Sequence, residues 1–257
     1  MNLLFWNIER LGAGSKQTRV DTFEAVVAEL GIWEKIDLYL LCEVSSGLET
    51  KNVNRQVIRR RRNPKQDKSQ LAYAAFELLE IAEELNEVAL QKAEIPSFTE
   101  TFGQPVSHKG GGNFEKISKR YVAHAGEYEG MQIYVYHANA SAKAELLVAW
   151  VITHLEEEDK GAFILVGDFN ASPLEVKTHM QKNKQDAKPF TFADDGATHN
   201  ARKPPAVHTY DYAIGGSKVK SLKVGKFNIL PALESLFQDK DAAAAALSDH
   251  MPIVVQF

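Results

Sequence analysis

Short apolar runs recur along this chain, and each ends on a polar side chain that could do chemistry. Asn7 follows "LLFW", Glu43 follows "LYLLC", His137 follows "IYVY" and Asp168 follows "FILVG". Runs of this length suit strands buried on both faces, and they are far too short to cross a bilayer. The stretch "VGDFNASP" is the sharpest case. In extended geometry Asp168 and Asn170 point the same way at the end of a strand, an anion beside a neutral amide at the rim of a sheet. A turn is the competing reading, because Asp, Asn, Gly and Pro also cap strands for local reasons.

The segments between these runs set the fold class. "NLLFWNI" predicts a strand, "TRVDTFEAVVAEL" carries Val20, Phe23, Val27 and Leu30 on one helical stripe, and "IDLYLLCEV" predicts the next strand. A basic loop follows. Ser69 then caps a long helix predicted over "SQLAYAAFELLEIAEELNEVALQKAEI". Further strands are predicted in "MQIYVYHANAS", "AFILVGDFN", "VHTYDYAIGG", "SLKVGKFNIL" and "MPIVVQF", with helices over Lys143 to Glu157 and after Pro231. At 257 residues, with no internal repeat and no long linker, the expectation is one α/β domain over 1–257. Its strands fall in more than one sheet, and the basic loop and helix at about 45–95 are its atypical part.

Composition removes several classes. The single cysteine, Cys42, lies in an apolar run and reads as a buried thiol, so no disulfide framework is needed. The start lacks a basic leader and a long apolar segment, so the expected location is cytoplasmic, although a toxin delivered into another cell fits the same residues. Formal net charge is -4, which gives no general attraction to a polyanion. From Lys51 to Lys68, however, eight basic residues face one acid, and four of them are consecutive, Arg59, Arg60, Arg61 and Arg62. A weakly acidic body with one cationic segment suits a phosphate-rich partner, and a solvated face is the plainer alternative.

Asp211 opens "DYAI", and Asp249 with His250 precedes "MPIVV". The inventory at strand ends is then carboxylates, two imidazoles and two amides. Phosphoryl transfer needs an activated water, neutralised nonbridging oxygens and a stabilised leaving oxygen, and this set can supply all three. Carboxylate and amide oxygens suit Mg²⁺ or Mn²⁺, whereas nothing here has the spacing of a zinc knot or a phosphate-binding glycine loop. "HKGGGN" could form an anion-binding nest, but a surface loop explains it as well. His124, His154, His199 and His208 are assigned to structure or surface.

These segments resemble the endonuclease/exonuclease/phosphatase superfamily, the DNase I-like enzymes. "FWNIERLG", "LCEV", "LVGDFNASP", "YDYAI" and "LSDHMPIV" are similar to its motifs and stand in the family's order. The resemblance implies two packed mixed β-sheets flanked by helices, a four-layer sandwich. It implies Mg²⁺, with Mn²⁺ as a substitute, held by Glu43 and Asp249 with Asn7 and Glu9 close to it. His250 becomes a general base or a phosphate-facing imidazole oriented by Asp211. Asp168 and Asn170 position water and phosphate, and His137 binds phosphate or assists the leaving group. Asn7, Arg120 and Arg59 to Arg62 bind substrate. The expected activity is metal-dependent cleavage of a phosphodiester, with DNA as the expected partner and endonuclease as the expected mode. A phosphatase or phosphodiesterase acting on phosphoinositides or another anionic lipid is the alternative, and a noncatalytic binding protein a third. Glu77 or Glu80 is the expected partner of His137.

Overall fold

The computed structural model describes residues 1–9, 23, 26–27, 35–44, 48–53, 56–60, 72–79, 84–93, 122–138, 140, 143–199, 207–227, 229 and 248–257. Two six-stranded sheets dominate these residues. In the first, β1 (Asn2–Asn7) lies between its parallel neighbour β2 (Leu38–Val44) and the antiparallel β14 (Ile253–Gln256). β5 (Ala72–Leu79) and β6 (Glu84–Val88) extend it beyond β2, and β13 (Lys223–Lys226) closes the other edge. The second sheet runs in the order β11 (Thr191–Ala193), β12 (Asp211–Gly215), β10 (Phe163–Asp168), β9 (Met131–His137), β8 (Val122–Tyr128) and β7 (Gln91–Lys92). Both sheets are mixed, because parallel pairs β1–β2 and β9–β10 sit among antiparallel ones.

The lack of alternation in the apolar runs follows from burial on both faces. Leu3, Phe5, Leu38 and Leu40 pack between the sheets against Ile133, Val135, Ile164 and Val166. The residues between them face outward. Trp6 meets Phe23 at 5.4 Å between ring centroids, and Phe23, Val26 and Val27 have helical backbone and are buried. On the far side, Tyr134, Tyr136, Phe163, Leu165 and Tyr212 pack under α1 (Ala144–Glu158) and α2 (Pro173–Lys182). Burying each such large apolar side chain contributes about 1.5–3 kcal/mol, so both faces of each central strand stabilise the sandwich. Two packed mixed sheets flanked by helices are the architecture that the motifs imply.

The segment at about 45–95 departs from expectation. β3 (Leu48–Val53) and β4 (Gln56–Arg60) form an antiparallel hairpin where a basic loop is predicted, with Glu49 opposite Arg59 in register. The predicted long helix is instead β5, β6 and β7. "AYAAFELL" is apolar almost throughout, and such a run fits either a buried strand or a buried helix. What decides is the open edge of β2, where β5 pairs antiparallel and Ala75 fills the space between the sheets. Arg61, Arg62, Glu80, "HKGGGN", Arg120 and the Pro231-led helix lie outside the described residues.

Beyond Asp168, Pro173 opens α2, where Ser172 caps the helix by accepting from the Glu175 backbone N–H while the Glu175 carboxylate accepts from the Ser172 N–H. This capping box is readable as "SPLE".

Candidate active site

Several strands end at one edge, and that edge gathers the polar side chains. β9 and β10 are parallel and β12 runs against them, so the last residues of the first two meet the first residue of the third. His137, Asp168 and Asp211 thereby stand side by side in register. Gly167 makes this row possible. A Cβ there would lie 1.8 Å from the carbonyl oxygen of Tyr136, so only glycine permits the strands to pair at that point.

The first sheet delivers the opposing wall. Asn7 ends β1, and its Nδ2 donates to Asp168 Oδ2 at 2.9 Å, joining the two sheets. Glu43 lies where the β2–β5 register shifts, and its φ of 58° puts it in the left-handed region. Bulges of this kind re-aim a side chain. Glu9 (φ 46°) and Asn170 (φ 48°) share this uncommon conformation at the same site, a concentration of backbone strain that packing must hold. For Asn170 it corrects the extended-geometry reading. The chain turns after Asp168, so the Asn170 N–H donates to Asp168 Oδ1 at 3.1 Å and its side-chain amide donates to the Ala138 carbonyl at 3.0 Å.

His250 comes from the far end of the chain. Trp6 Nε1 donates to the His250 carbonyl at 2.9 Å, and Ser248 Oγ donates to the Asn7 carbonyl while accepting from the His250 N–H. The imidazole Nδ1 then lies 2.8 Å from Asp211 Oδ2, and Nε2 is 3.7 Å from both Asp168 Oδ2 and Asp249 Oδ1. Together Asn7, Glu9, Glu43, His137, Asp168, Asn170, Asp249 and His250 line one cavity of about 330 Å³.

Charge in this cavity is arranged, not merely concentrated. Burial would raise the Asp168 carboxyl, but the His137 hydrogen bond, the two imidazole charges and the Asn7 donor hold it well below the usual carboxylate range. Burial opposes the charged form of His250, yet the Asp211 carboxylate at Nδ1, with Asp168 and Asp249, pushes its pKa up to about 10. At neutral pH His250 is an imidazolium with Nε2 as a donor, which suits an anion better than a proton-accepting role.

Two expectations change. Glu77 does not serve His137: it accepts from the Tyr128 hydroxyl, and Tyr128 lies opposite Met131, at the other end of β9. His137 Nε2 instead faces Asp168 Oδ2 at 3.3 Å and Glu43 Oε1 at 3.6 Å. His199, assigned to structure or surface, lines the cavity with Nε2 3.7 Å from Asp249 Oδ2 and its ring 4.6 Å from that of His250. Burial and the neighbouring His250 charge lower its pKa, so it is neutral where His250 is charged. No local pattern in the sequence marks it; the bridges from His199 to His208 and His250 that carry it inward are tertiary.

The donor set accommodates a divalent cation. Among the described residues, His199, Asp249 and His250, and separately Asp168, Asp211 and His250, each bring one nitrogen or oxygen within 4.8 Å of the others; with His250 protonated, the carboxylates are the atoms of these clusters that face a cation. Glu43 and Glu9 add carboxylates to the same cavity wall. Hard oxygens predominate, as Mg²⁺ or Mn²⁺ requires.

No protein-family model and no curated protein matches the sequence. Solved structures do match along almost the whole chain. The Haemophilus ducreyi cytolethal distending toxin is similar with a TM-score of 0.55 and 14% identity, covering 99% of this chain and 96% of that one. An endonuclease/exonuclease/phosphatase family protein from Bacteroides thetaiotaomicron gives a TM-score of 0.53 at 15% identity, over 99% and 96%. A mannosyl-6-phosphatase from the same organism gives 0.54 at 14%, over 100% and 98%. Taken with the sheet order, these likenesses show that the chain has the DNase I-like fold of the endonuclease/exonuclease/phosphatase enzymes.

Proposed function

We propose that the protein is a divalent-metal-dependent phosphodiester hydrolase that cuts DNA endonucleolytically. One observation carries the reading: a single cavity gathers Asn7, Glu43, His137, Asp168, Asn170, Asp249 and His250, with Asp211 on the back of His250. In this reading the ionised Asp168 positions the attacking water by accepting a hydrogen bond from it. The His250 imidazolium donates Nε2–H to a nonbridging phosphate oxygen as negative charge grows there. His137, between Asp168 and Glu43, binds phosphate on the leaving-group side. Asn7 and Asn170 present neutral amides, which approach the phosphate without repelling it. Glu43 and Asp249, with Asn7 and Glu9 beside them, would hold the Mg²⁺ or Mn²⁺, which neutralises phosphate charge and stabilises the departing oxygen when bound.

DNA as substrate is supported by the basic segment. Arg59 and Arg60 belong to β4 of a hairpin that begins four residues after β2 ends at Val44, beside Glu43, and Arg61, Arg62 and Arg120 are assigned to the same backbone-holding role. Phosphate contacts of this kind position a duplex without reading its sequence. The likeness to a mannosyl-6-phosphatase favours a second reading, a phosphatase, of which the anionic-lipid enzyme is one form. A panel with Mg²⁺ decides between them: supercoiled plasmid, linear duplex, single strands, RNA and phosphoinositides. Nicked plasmid without inorganic phosphate is the expected result. Phosphate released from phosphoinositides, with the plasmid intact, would replace this reading by the second.

A further inference from the structure

The rim of the cavity carries a row of rings that phosphoryl chemistry does not use. The His199 ring lies 4.6 Å from His250, 5.3 Å from Tyr210 and 5.8 Å from His208. His208 and Tyr210 stack on each other at 4.8 Å with 4° between their planes. Backbone hydrogen bonds hold the row against the catalytic strands. The Thr198 and His199 N–H groups both donate to the His208 carbonyl, at 2.8 and 3.0 Å, and the Phe169 N–H donates to the Tyr210 carbonyl at 2.8 Å. Tyr210 therefore sits directly between Asp211 in sequence and the Asp168 strand end in space.

Exposure at this rim is unusual. Among the described residues, Val207 is one of the large apolar side chains that stand out, 59% exposed. Val207 adjoins His208, which is itself exposed. An exposed apolar group thus adjoins the stacked pair, and the pair lies against His199, which lines the cavity. A partner fitting this surface has a flat, apolar, polarisable face attached close to its phosphate. A nucleobase has one; a phosphosugar and a lipid headgroup do not.

We infer that His208 and Tyr210 form a stacking subsite for the nucleobase next to the scissile phosphate, with the His199 ring spanning the gap to His250. This inference rests on the phosphodiesterase reading and adds to it the residues that would hold a base beside the cut. Stacking tolerates every base, so the subsite contributes affinity without sequence preference.

The test compares three substrates that release the same leaving group: thymidine 5′-(p-nitrophenyl phosphate), its base-free deoxyribose counterpart, and methyl p-nitrophenyl phosphate. With Mg²⁺ or Mn²⁺, kcat/KM of the wild-type protein should favour the thymidine ester over the base-free ester by about tenfold. In His208→Ala/Tyr210→Leu the ratio should fall to about twofold or less, and Tyr210→Phe should restore it, because the ring and not the hydroxyl stacks. Equal rates in the wild-type protein, or a ratio that survives in the double variant, would overturn the subsite. If none of the three esters is hydrolysed, the phosphodiesterase reading fails, and binding then decides the subsite alone. Fluorescence of 2-aminopurine deoxyribonucleoside 5′-monophosphate should be quenched by the wild-type protein and less by the folded double variant. Unquenched fluorescence, or quenching that is equal in both, overturns it.

Discussion

His250 Nδ1 lies 2.8 Å from Asp211 Oδ2, and both side chains are buried, although Asp211 opens β12 of the second sheet and His250 stands three residues before β14 of the first. Their contact ties the orientation of the imidazole to the packing of the whole sandwich. Asp211→Asn should therefore reduce turnover by about 10²-fold by losing the charge that keeps His250 protonated, and His250→Ala by at least about as much. Asp211→Asn should also shift the alkaline limb of the pH–rate profile to lower pH. An unchanged profile in a folded Asp211→Asn protein would show that Asp211 does not set the state of His250.

The same pair links pH to stability in the metal-free protein. His250 has a folded pKa of about 10, above the roughly 6.5 of a free imidazole, so its stabilisation is fully present below about 6.5 and is lost as pH rises through 10. Asp168 is depressed, so its contribution is present above the ordinary carboxylate range and is lost as pH falls through and below it. In EDTA, Tm should decline from neutral pH toward pH 10. His250→Gln should flatten that decline, and parallel curves for the two proteins would exclude His250 as its source.

Glu43 offers a carboxylate to the cavity from a bulged strand end. Glu43→Gln keeps the size and removes the charge, so Mn²⁺ affinity measured by calorimetry should drop by about tenfold or more, one interaction with a cation being lost. EDTA should abolish turnover in the wild-type protein and Mg²⁺ should restore it. Full activity in protein shown to be metal-free by elemental analysis would refute a metal requirement.

Gly167 tests the pairing that aligns His137 with Asp168. Gly167→Ala places a methyl group against the Tyr136 backbone, and backbone cannot move aside as a side chain can. The variant should lose about 1–3 kcal/mol or more of stability by denaturant titration, the range for overpacking. Stability equal to that of the wild-type protein would mean that β9 and β10 are not paired in this register.

The arginine segment separates binding from chemistry. Replacing Arg59, Arg60, Arg61 and Arg62 by Gln should weaken duplex binding across base sequences and make log affinity less steep against log salt, by about 0.9 for each phosphate contact removed. An unchanged slope would assign these arginines to a solvated face.

The strand ends were legible because a strand buried on both faces must be apolar throughout, so the first polar residue marks its exit. Asn7, Glu43, His137 and Asp168 could all be picked out this way, and Asp211 and Asp249–His250 by the same rule read at strand starts. Their spacing along the chain also carried the resemblance that implied the sandwich. Three things depended on the tertiary structure. "AYAAFELLEIAEELNEV" has good helix formers, and only the open edge of β2, with its unpaired backbone groups, turns it into β5 and β6. His137 has no local mark of its partner, because Asp168 and Glu43 reach it from two other strands. His199 enters the cavity through bridges to His208 and His250, long-range hydrogen bonds that no hydrophobic period encodes. Sequence by itself determined which residues stand at the ends of buried strands, since burial is a local demand on composition. Which of those ends meet, and in what protonation state, was decided by the packing of two sheets, since a carboxylate and an imidazole affect each other only across the few ångströms that folding closes.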